Sequence, residues 1–238
     1  MPVMTVGTGR SMLASRVASD PDGDALRSSL TAYWKLDGTT ADSKGSFTLT
    51  AVNAPSTGTG RLNATSYDLV GADSERFTRA DNAALRLVAG VSTSFDGYAK
   101  KTNAATNGDI LGKYGGGSNE FSFGHYAAQG WIYAGTAFPQ ATTALPNTIA
   151  NNAWYHWAIT YNHTDTVLKI YINGAEVGSS TVTLNAGGAS NLSIGGIDAG
   201  ATYFTGMIEH VGVYNGTVLT PAQVLYRYSS GNGKALYP

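Results

Sequence analysis

The chain of 238 residues contains no cysteine, which excludes a disulfide framework, thiolate-bound zinc and thiol catalysis. Charged residues make up only 13% of it and the net charge is -1, so nothing indicates a nucleic-acid partner or a basic helix on a membrane surface. The first ten residues lack the apolar core of a signal peptide, and no apolar run approaches membrane-spanning length. We therefore expect a protein made in the cytoplasm, with no nucleic-acid partner and no membrane insertion.

Glycine is abundant, with 30 residues, and the many serine, threonine and asparagine residues around it are typical of turn-rich β proteins. Runs of β-branched and aromatic residues recur about every ten residues, which indicates a sandwich or barrel rather than βαβ units. Strands are predicted at 30–37, 46–50, 65–70, 74–79, 93–101, 109–114, 118–126, 129–135, 154–162, 166–173, 175–184, 190–196 and 204–214, with an irregular connection over 136–152.

The clearest local signals lie in the last third of the chain. Two aromatic and β-branched runs, 154–161 and 167–172, flank a polar turn. The second run ends in Asn173-Gly174, two residues that tolerate the positive φ of a hairpin turn. The one strong helix pattern is 221–230, which has Thr220 as its N-cap candidate and a proline at its first position.

Residues 1–29 are predicted to form an N-terminal arm before a domain over residues 30–238. Segment 10–18 has the apolar spacing of two helical turns, which are too short to be stable alone. Segment 20–24 is either a turn that joins arm and domain or the start of a calcium loop, although an EF-hand would need Glu where Thr31 stands. We expect the arm to anchor the domain to a neighbouring protein or to mediate oligomerisation.

Four segments in this order resemble the laminin-G-like, concanavalin A-like jelly-roll family, and together they span about residues 30–230. They are 32–45, with an Asp-Ser-Lys-Gly loop, then 154–161, 169–174 and 204–220. The last is similar to the family ending F-x-G-x-I-D-E-V-x-I-Y-N. The resemblance implies an all-β fold, a two-sheet antiparallel jelly-roll sandwich with one short C-terminal helix. It also implies a scaffold used mostly for binding, of which only some branches are enzymes.

The resemblance also implies a metal site. In the family, an Asp of the I-D-E segment and the Asp-Ser-x-Gly loop often help to hold a structural calcium. The matching carboxylates are Asp42 and Glu209, and loop carbonyls would supply more of the about six to eight oxygens that calcium prefers. The chain departs from the pattern because Glu209-His210 stands in place of Asp-Glu. The alternative is that Asp42 caps its turn and Glu209 is an ordinary strand residue.

Catalytic patterns are not found. Glucanases of this fold carry two Glu residues on one strand, spaced E-x-D-x-x-E, as acid and nucleophile. None of the four glutamates, Glu75, Glu120, Glu176 and Glu209, belongs to such a motif, and Glu120 has no second carboxylate at the required offset. The four histidines form no metal or nucleophile motif, and His156 is interpreted as a packed strand residue. We expect no catalytic residues and no enzymatic activity.

Glycan binding uses exposed aromatic rings that stack on sugars and polar groups that hold their hydroxyls. Segment 114–138 is the richest in both. Phe121, Phe123 and His125 alternate onto one face, which favours the core of the sandwich over a ligand site. The predicted ligand-binding residues are therefore those expected nearer to the surface: Asn119, Tyr126, Trp131 and Tyr133.

These features together favour a non-catalytic structural protein on the surface of a phage-like virion, as a capsid decoration, fibre or tail component. Such proteins are released by lysis and need no signal peptide, and they are commonly symmetric oligomers. Residues 1–29 would attach the protein to other virion proteins, and the domain would contact host-surface glycans. The alternative is a free-standing lectin-like carbohydrate-binding module, which would keep its sugar binding without the arm.

Overall fold

The computed structural model describes residues 20–102, 107–115, 120–126, 129–134, 149–198 and 202–237; for 126 and 129–134 it describes only the backbone. Within these ranges the chain forms two α-helices, α1 (Pro21–Ser29) and α2 (Pro221–Tyr228), and fourteen strands. The strands are β1 (Ala32–Trp34), β2 (Thr50–Val52), β3 (Ser56–Thr59), β4 (Thr65–Leu69), β5 (Arg76–Arg79), β6 (Thr93–Lys101), β7 (Gly108–Lys113), β8 (Phe121–Tyr126), β9 (Gln129–Ala134), β10 (Trp154–Asn162), β11 (Val167–Ile172), β12 (Ala175–Thr181), β13 (Leu192–Ile194) and β14 (Gly206–Asn215). The predicted helical turns at 10–18 and most of the predicted connection 136–152 lie outside the described residues.

The described strands form two antiparallel sheets. The large sheet has the order β12-β11-β10-β6-β14-β4-β3, and β1 also pairs with β14. The small sheet has the order β2-β5-β13-β7-β8-β9. Most neighbours in these orders are distant in sequence, as the crossing connections of a jelly roll require. The predicted all-β, two-sheet antiparallel sandwich is confirmed.

The main core lies between the two sheets. Register places one apolar row across the inner face of the small sheet, made of Phe77, Ile194, Leu111 and Phe123. Each of the four is at most 1% exposed and packs in one cluster with Trp157 of the large sheet. Burial of such a side chain contributes about 1.5–3 kcal/mol, so this cluster is the main source of stability.

A second apolar cluster covers the outer face of the large sheet. Helices α1 and α2 and the C-terminal segment pack there, and Leu26, Val224 and Leu236 are buried against the sheet residues Tyr33 and Tyr214. Segment 20–24, which was predicted to be a turn or the start of a calcium loop, instead begins α1. The side chain of Asp20 accepts a hydrogen bond from the backbone N–H of Gly23 as the N-cap, a role that satisfies a free helical donor.

Helix α2 begins at its predicted residue, Pro221. Thr220 and Gln223 form a capping box, in which each side chain bonds the backbone N–H of the other, and Pro221 takes the first position. The helix ends at Tyr228, slightly before the predicted end, because Ser229 adopts a left-handed conformation with φ 48°. Neither described helix has the length and apolar character needed to cross a membrane.

The first strands differ most from the prediction. The strand predicted over 30–37 is limited to β1, because Leu36 turns the chain with φ 56°. The strand predicted over 46–50 lies later, at β2. Strand β3 was not predicted, since its sequence Ser-Thr-Gly-Thr has no apolar residue to bury.

Candidate functional site

The outer face of the small sheet is lined by small polar residues. Paired residues of an antiparallel sheet share a face, and the row next to the apolar one reads Thr50, Thr78, Ser193, Gly112 and Ser122 in order of pairing. The row continues into β9 at position 133. Among the side chains that the structure describes, the sheet therefore presents only small polar ones at the centre of this face.

The connection between β13 and β14 covers the centre of this face. We call its residues 195–198 and 202–205 the covering loop. A Cβ atom at Gly112 would lie 2.7 Å from Cγ2 of Ile197, which shows how closely the loop packs on the sheet. Ser122 and Ser193 beneath it are at most 1% exposed. The middle of the face, where a sheet-lined cleft would lie, is thus filled by the chain itself.

Asp109 holds the covering loop on the sheet. Its backbone N–H donates to the carbonyl of Thr202 at 3.2 Å, and its carboxylate accepts hydrogen bonds from the hydroxyls of Thr202 and Ser122. The carboxylate is fully buried, and burial raises its pKa to about 6 despite both hydrogen bonds. The sequence offered no signal for this group, because Thr202 is 93 residues away.

At the edge of the covering loop, the exposed Asp198 gathers three polar side chains. Its Oδ2 accepts from Nδ2 of Asn191 at 2.8 Å, and its Oδ1 accepts from the hydroxyl of Ser193 at 3.3 Å and from Nε of Arg76 at 3.4 Å. The guanidinium of Arg76 also lies over the ring of Tyr203, 5.5 Å from its centroid. A carboxylate, an amide, a guanidinium and an aromatic ring therefore meet on one accessible surface.

The predicted ligand-binding residues fall in or near β8 and β9. Asn119 lies outside the described residues. Positions 131 and 133 pair with Gly124 and Ser122, and position 126 pairs with Gln129, all in the β8–β9 hairpin. Positions 131 and 133 thus belong by register to the outer face of the small sheet, whereas the side chains of Tyr126, Trp131 and Tyr133 are outside the described part. Their role in ligand binding stays a prediction.

The interpretation of Phe121, Phe123 and His125 as core residues is confirmed. All three are at most 3% exposed. The Nε2 atom of His125 makes a hydrogen bond to the hydroxyl of Tyr155, and burial lowers the pKa of His125 to about 4. The ring is therefore neutral at physiological pH and belongs to the core between the sheets.

Glu120 is part of a charge cluster that the sequence did not reveal. Nε of Arg86 lies 3.1 Å from Oδ1 of Asp81 and 3.6 Å from Oε1 of Glu120. Nζ of Lys113 lies 2.7 Å from the same Asp81 oxygen and 3.9 Å from the same Glu120 oxygen. The hydrogen bond from Arg86 lowers the pKa of Asp81 to about 2, whereas burial raises the pKa of Glu120. Two carboxylates with separated pKa values can serve acid–base chemistry, but the side chain of Glu120 is 0% exposed. The cluster therefore fastens loops rather than facing a substrate.

Asp42 caps its loop with both carboxylate oxygens. Oδ1 accepts from the backbone N–H of Tyr33 at 2.8 Å and of Lys44 at 2.9 Å. Oδ2 accepts from the N–H groups of Ser46 and Phe47, both at 3.0 Å. Four converging N–H donors stabilise a carboxylate and oppose a cation at the same oxygens.

Glu209 is a buried carboxylate with the same kind of partners, not an ordinary strand residue. Its two oxygens accept from the backbone N–H groups of Arg61 and Leu62, at 3.0 Å and 2.9 Å. No three acidic or histidine side chains of the described residues are grouped as a metal site would need. The chemistry of these two carboxylates thus fits loop capping better than calcium, and the predicted calcium site stays a prediction.

The two packed antiparallel sheets, the crossing connections and the short C-terminal helix define a jelly-roll sandwich of the lectin and glucanase type. A family model described as "Concanavalin A-like lectin/glucanases superfamily" (Laminin_G_3) matches residues 80–225, which is more than half of the chain. The chain belongs to this family, as the resemblance predicted. No curated protein sequence matches it significantly.

Solved structures agree on the fold. The binding domain of Paraclostridial Mosquitocidal Protein 1 superposes with a TM-score of 0.69 at 13% identity, over 87% of this chain and 53% of that one. Botulinum neurotoxin serotype D ligand binding domain in complex with N-acetylneuraminic acid gives 0.64 at 14%, over 87% and 52%. Domain 4 of AbnA, a GH43 extracellular arabinanase from Geobacillus stearothermophilus in complex with arabinotriose, gives 0.58 at 21%, over 86% and 98%. This chain spans about half the length of the toxin domains.

Proposed function

We propose that this chain is a non-catalytic glycan-binding domain displayed on the surface of a phage-like virion. The family and the fold support a binding role, because the similar structures named above are binding domains or a domain in complex with a sugar. The virion location rests on sequence features, namely the lack of cysteine, the low charge and the predicted N-terminal arm.

The observation that carries the non-catalytic part is the disposition of the glutamates. Glu75 accepts from the backbone N–H of Val70 at 2.7 Å, and Glu176 bonds Nζ of Lys169 at 2.9 Å. Glu120 is buried in its charge cluster, and Glu209 caps a loop. Retaining hydrolysis needs two carboxyl groups about 5 Å apart that face one substrate. Each glutamate instead serves a local contact.

The geometry of the chain ends supports a display role. Asp20, the first described residue, accepts a hydrogen bond from the hydroxyl of Tyr226 and lies 3.5 Å from Nζ of Lys234. The chain therefore enters the domain on the outer side of the large sheet, beside α2. An attachment through the preceding residues would hold the domain by this side and leave the outer face of the small sheet directed away from the particle.

The test compares the full chain with a chain that begins at Asp20. Removal of α1 as well would expose Leu26 and its partners, so a shorter chain would confuse loss of folding with loss of attachment. We expect the shortened chain to keep its melting temperature and its glycan binding but to lose co-sedimentation with virion particles that lack the protein. Equal sedimentation of both chains would contradict attachment through the arm, and light scattering on both would show whether an oligomer depends on it.

A free-standing lectin-like carbohydrate-binding module is the second candidate. One observation favours it: the chain matches 98% of domain 4 of AbnA, a domain that is solved in complex with arabinotriose. In that case neither chain would bind particles, and both would bind the same glycans with equal affinity.

A further inference from the structure

We propose that Asp198, Asn191 and Arg76, beside the ring of Tyr203, form a binding site for a neutral sugar that carries adjacent hydroxyl groups. This inference rests on the proposed glycan-binding function and names its site. It differs from the predicted residues Trp131 and Tyr133, since β9 lies three strands from β13 in the small sheet.

The polar groups suit hydroxyl recognition. A sugar hydroxyl both donates and accepts, so a pair of adjacent hydroxyls is best met by an acceptor beside donors. Asp198 supplies the acceptor, because the carboxylate has about four lone-pair directions and its contacts to Ser193 and Arg76 are long, at 3.3 Å and 3.4 Å. The amide of Asn191 and the guanidinium of Arg76 supply donors on the two sides of that carboxylate.

The donors are already held in place. Nη1 of Arg76 donates to the carbonyl of Ser74 at 3.1 Å, while its plane lies over Tyr203. Gly196 permits this arrangement, because a Cβ atom there would lie 2.5 Å from Cδ1 of Tyr203. Side chains that are fixed before a ligand arrives lose less conformational entropy on binding.

The covering loop that carries Asp198 and Tyr203 is fastened on both sides. The N–H of Gly195 donates to the carbonyl of Ile110 at 2.8 Å, and the N–H of Phe204 donates to the carbonyl of Gly195 at 3.0 Å. In the sheet below, the carboxylate of Asp109 accepts a hydrogen bond from the hydroxyl of Thr202. The site thus stands on a rigid base, while Asp198 itself is exposed.

The charge of the site sets its class of ligand. The carboxylate of Asp198 and the guanidinium of Arg76 form an ion pair, so the site carries no surplus charge to hold an ionic group, and a sialylated glycan gains nothing from its carboxylate. A neutral sugar can meet both groups through its hydroxyls alone. The competing explanation is that the four side chains only fasten the covering loop; in that case their replacement would change stability but not glycan affinity.

The test uses the full chain and a panel of neutral oligosaccharides, arabinotriose among them, together with sialylated ones. The tightest neutral binder is titrated against the wild type, Asp198→Asn, Asn191→Ala and the control Glu176→Gln, an exposed ion-paired carboxylate on β12. Loss of a charge-assisted hydrogen bond is expected to weaken binding about tenfold or more in Asp198→Asn, and loss of a neutral amide donor is expected to weaken it about fivefold in Asn191→Ala. The control is expected to bind like the wild type, and all melting temperatures are expected to stay close.

Other results would contradict the proposed site or the proposed function. If the wild type binds a neutral sugar and both site variants bind it equally well, this site is wrong while the glycan-binding function stands. Preference for sialylated glycans, or binding lost only in proportion to a lowered melting temperature, also overturns the site. If the wild type binds no member of the panel, both the function and the site fail.

Discussion

The two outer faces of the sandwich are covered in different ways. The large sheet is covered by two helices, and one of its buried acids, Asp96, is paired with the buried Arg227. The small sheet is covered by a loop, and its buried acid is Asp109. Among the described residues, Asp109 accepts side-chain hydrogen bonds from two hydroxyls and from no cation. The pairing makes the first face a fixed part of the fold, whereas the second face carries a charge that its surroundings do not neutralise.

The network at Asp96 ties α2 to the large sheet. Oδ2 of Asp96 lies 2.5 Å from Nε of Arg227, and Oδ1 accepts from the hydroxyl of Tyr214 at 3.2 Å. Burial alone would raise the pKa of Asp96. The charge of Arg227 and the neighbouring His156 lower this pKa by a larger amount, so the net shift is downward. His156 is fully buried 3.5 Å from Asp96, which confirms its interpretation as a packed strand residue.

Removal of one partner of this pair is expected to have the largest effect. Asp96→Asn leaves the guanidinium of Arg227 buried without its counter-charge, and such losses cost about 3–5 kcal/mol of unfolding free energy. Urea denaturation measures it. The double variant Asp96→Asn/Arg227→Met removes both charges and is expected to lose less than the sum of the two single variants. A single-variant loss below about 1 kcal/mol would contradict a locked outer face.

The turn at Asp42 lies next to β1 of the large sheet. Asp42→Asn replaces one acceptor oxygen with a donor that faces backbone N–H groups, and is expected to cost about 2–4 kcal/mol. The matched control is Asp165→Asn, whose carboxylate accepts one N–H in an exposed turn. If hydrogen bonds alone are responsible, the loss is equal in calcium and in EDTA. A loss seen only with calcium present would support the predicted metal site instead.

Replacement of Asp109 is expected to raise the free energy of unfolding, whereas replacement of Asp96 or Asp42 is expected to lower it. Its folded pKa of about 6 lies above the unfolded value near 3.8, so the native state binds this proton more tightly. The stability linked to the group is complete below about pH 4 and is lost as pH rises through about 6. Asp109→Asn removes the charge and is expected to stabilise the chain by about 2–3 kcal/mol at pH 7.5.

The measurement is the difference in unfolding free energy between Asp109→Asn and the wild type across pH 4 to 8. The gain is expected to vanish near pH 4, where the wild-type acid is protonated in both states. A variant that is less stable than the wild type at pH 7.5 would mean that the charge itself holds the covering loop.

Glu176→Gln gives the smallest expected effect. The pair between Glu176 and Lys169 is about 40% exposed on both sides, and such pairs contribute about 0–1 kcal/mol. Its change in unfolding free energy is expected to stay below about 0.5 kcal/mol and to shrink further in salt. A loss of unfolding free energy comparable to that of Asp96→Asn would show that this exposed ion pair stabilises the fold as much as the buried pair does.

Much of the sandwich could be predicted, and the reason is physical. β10, β11 and β14 lie within one or two residues of their predicted ends, because β-branched and aromatic residues fill both faces of these strands. Helix α1 was missed because its sequence Pro-Asp-Gly-Asp-Ala-Leu-Arg-Ser-Ser has few apolar residues to form a stripe, and Leu26 finds its partners only in the folded chain.

The candidate site could not be predicted in the same way. Arg76 and Asp198 are 122 residues apart and meet only because β5 pairs with β13. Asp81 and Glu120 likewise meet through Arg86 and Lys113 and not through spacing on one strand. Local patterns reveal which residues a strand buries, whereas the polar contacts between loops follow from strand order, which a single sequence does not determine.

Hydrogen exchange of the full chain, measured with and without the tightest neutral oligosaccharide, shows which face of the sandwich binds the sugar. We expect the sugar to protect the backbone amides around Asn191 and Tyr203 on the small sheet and to leave those of α1 and α2 unchanged. Protection confined to the helices and the outer side of the large sheet would contradict it, because the face that we assign to attachment would then be the one that binds the sugar.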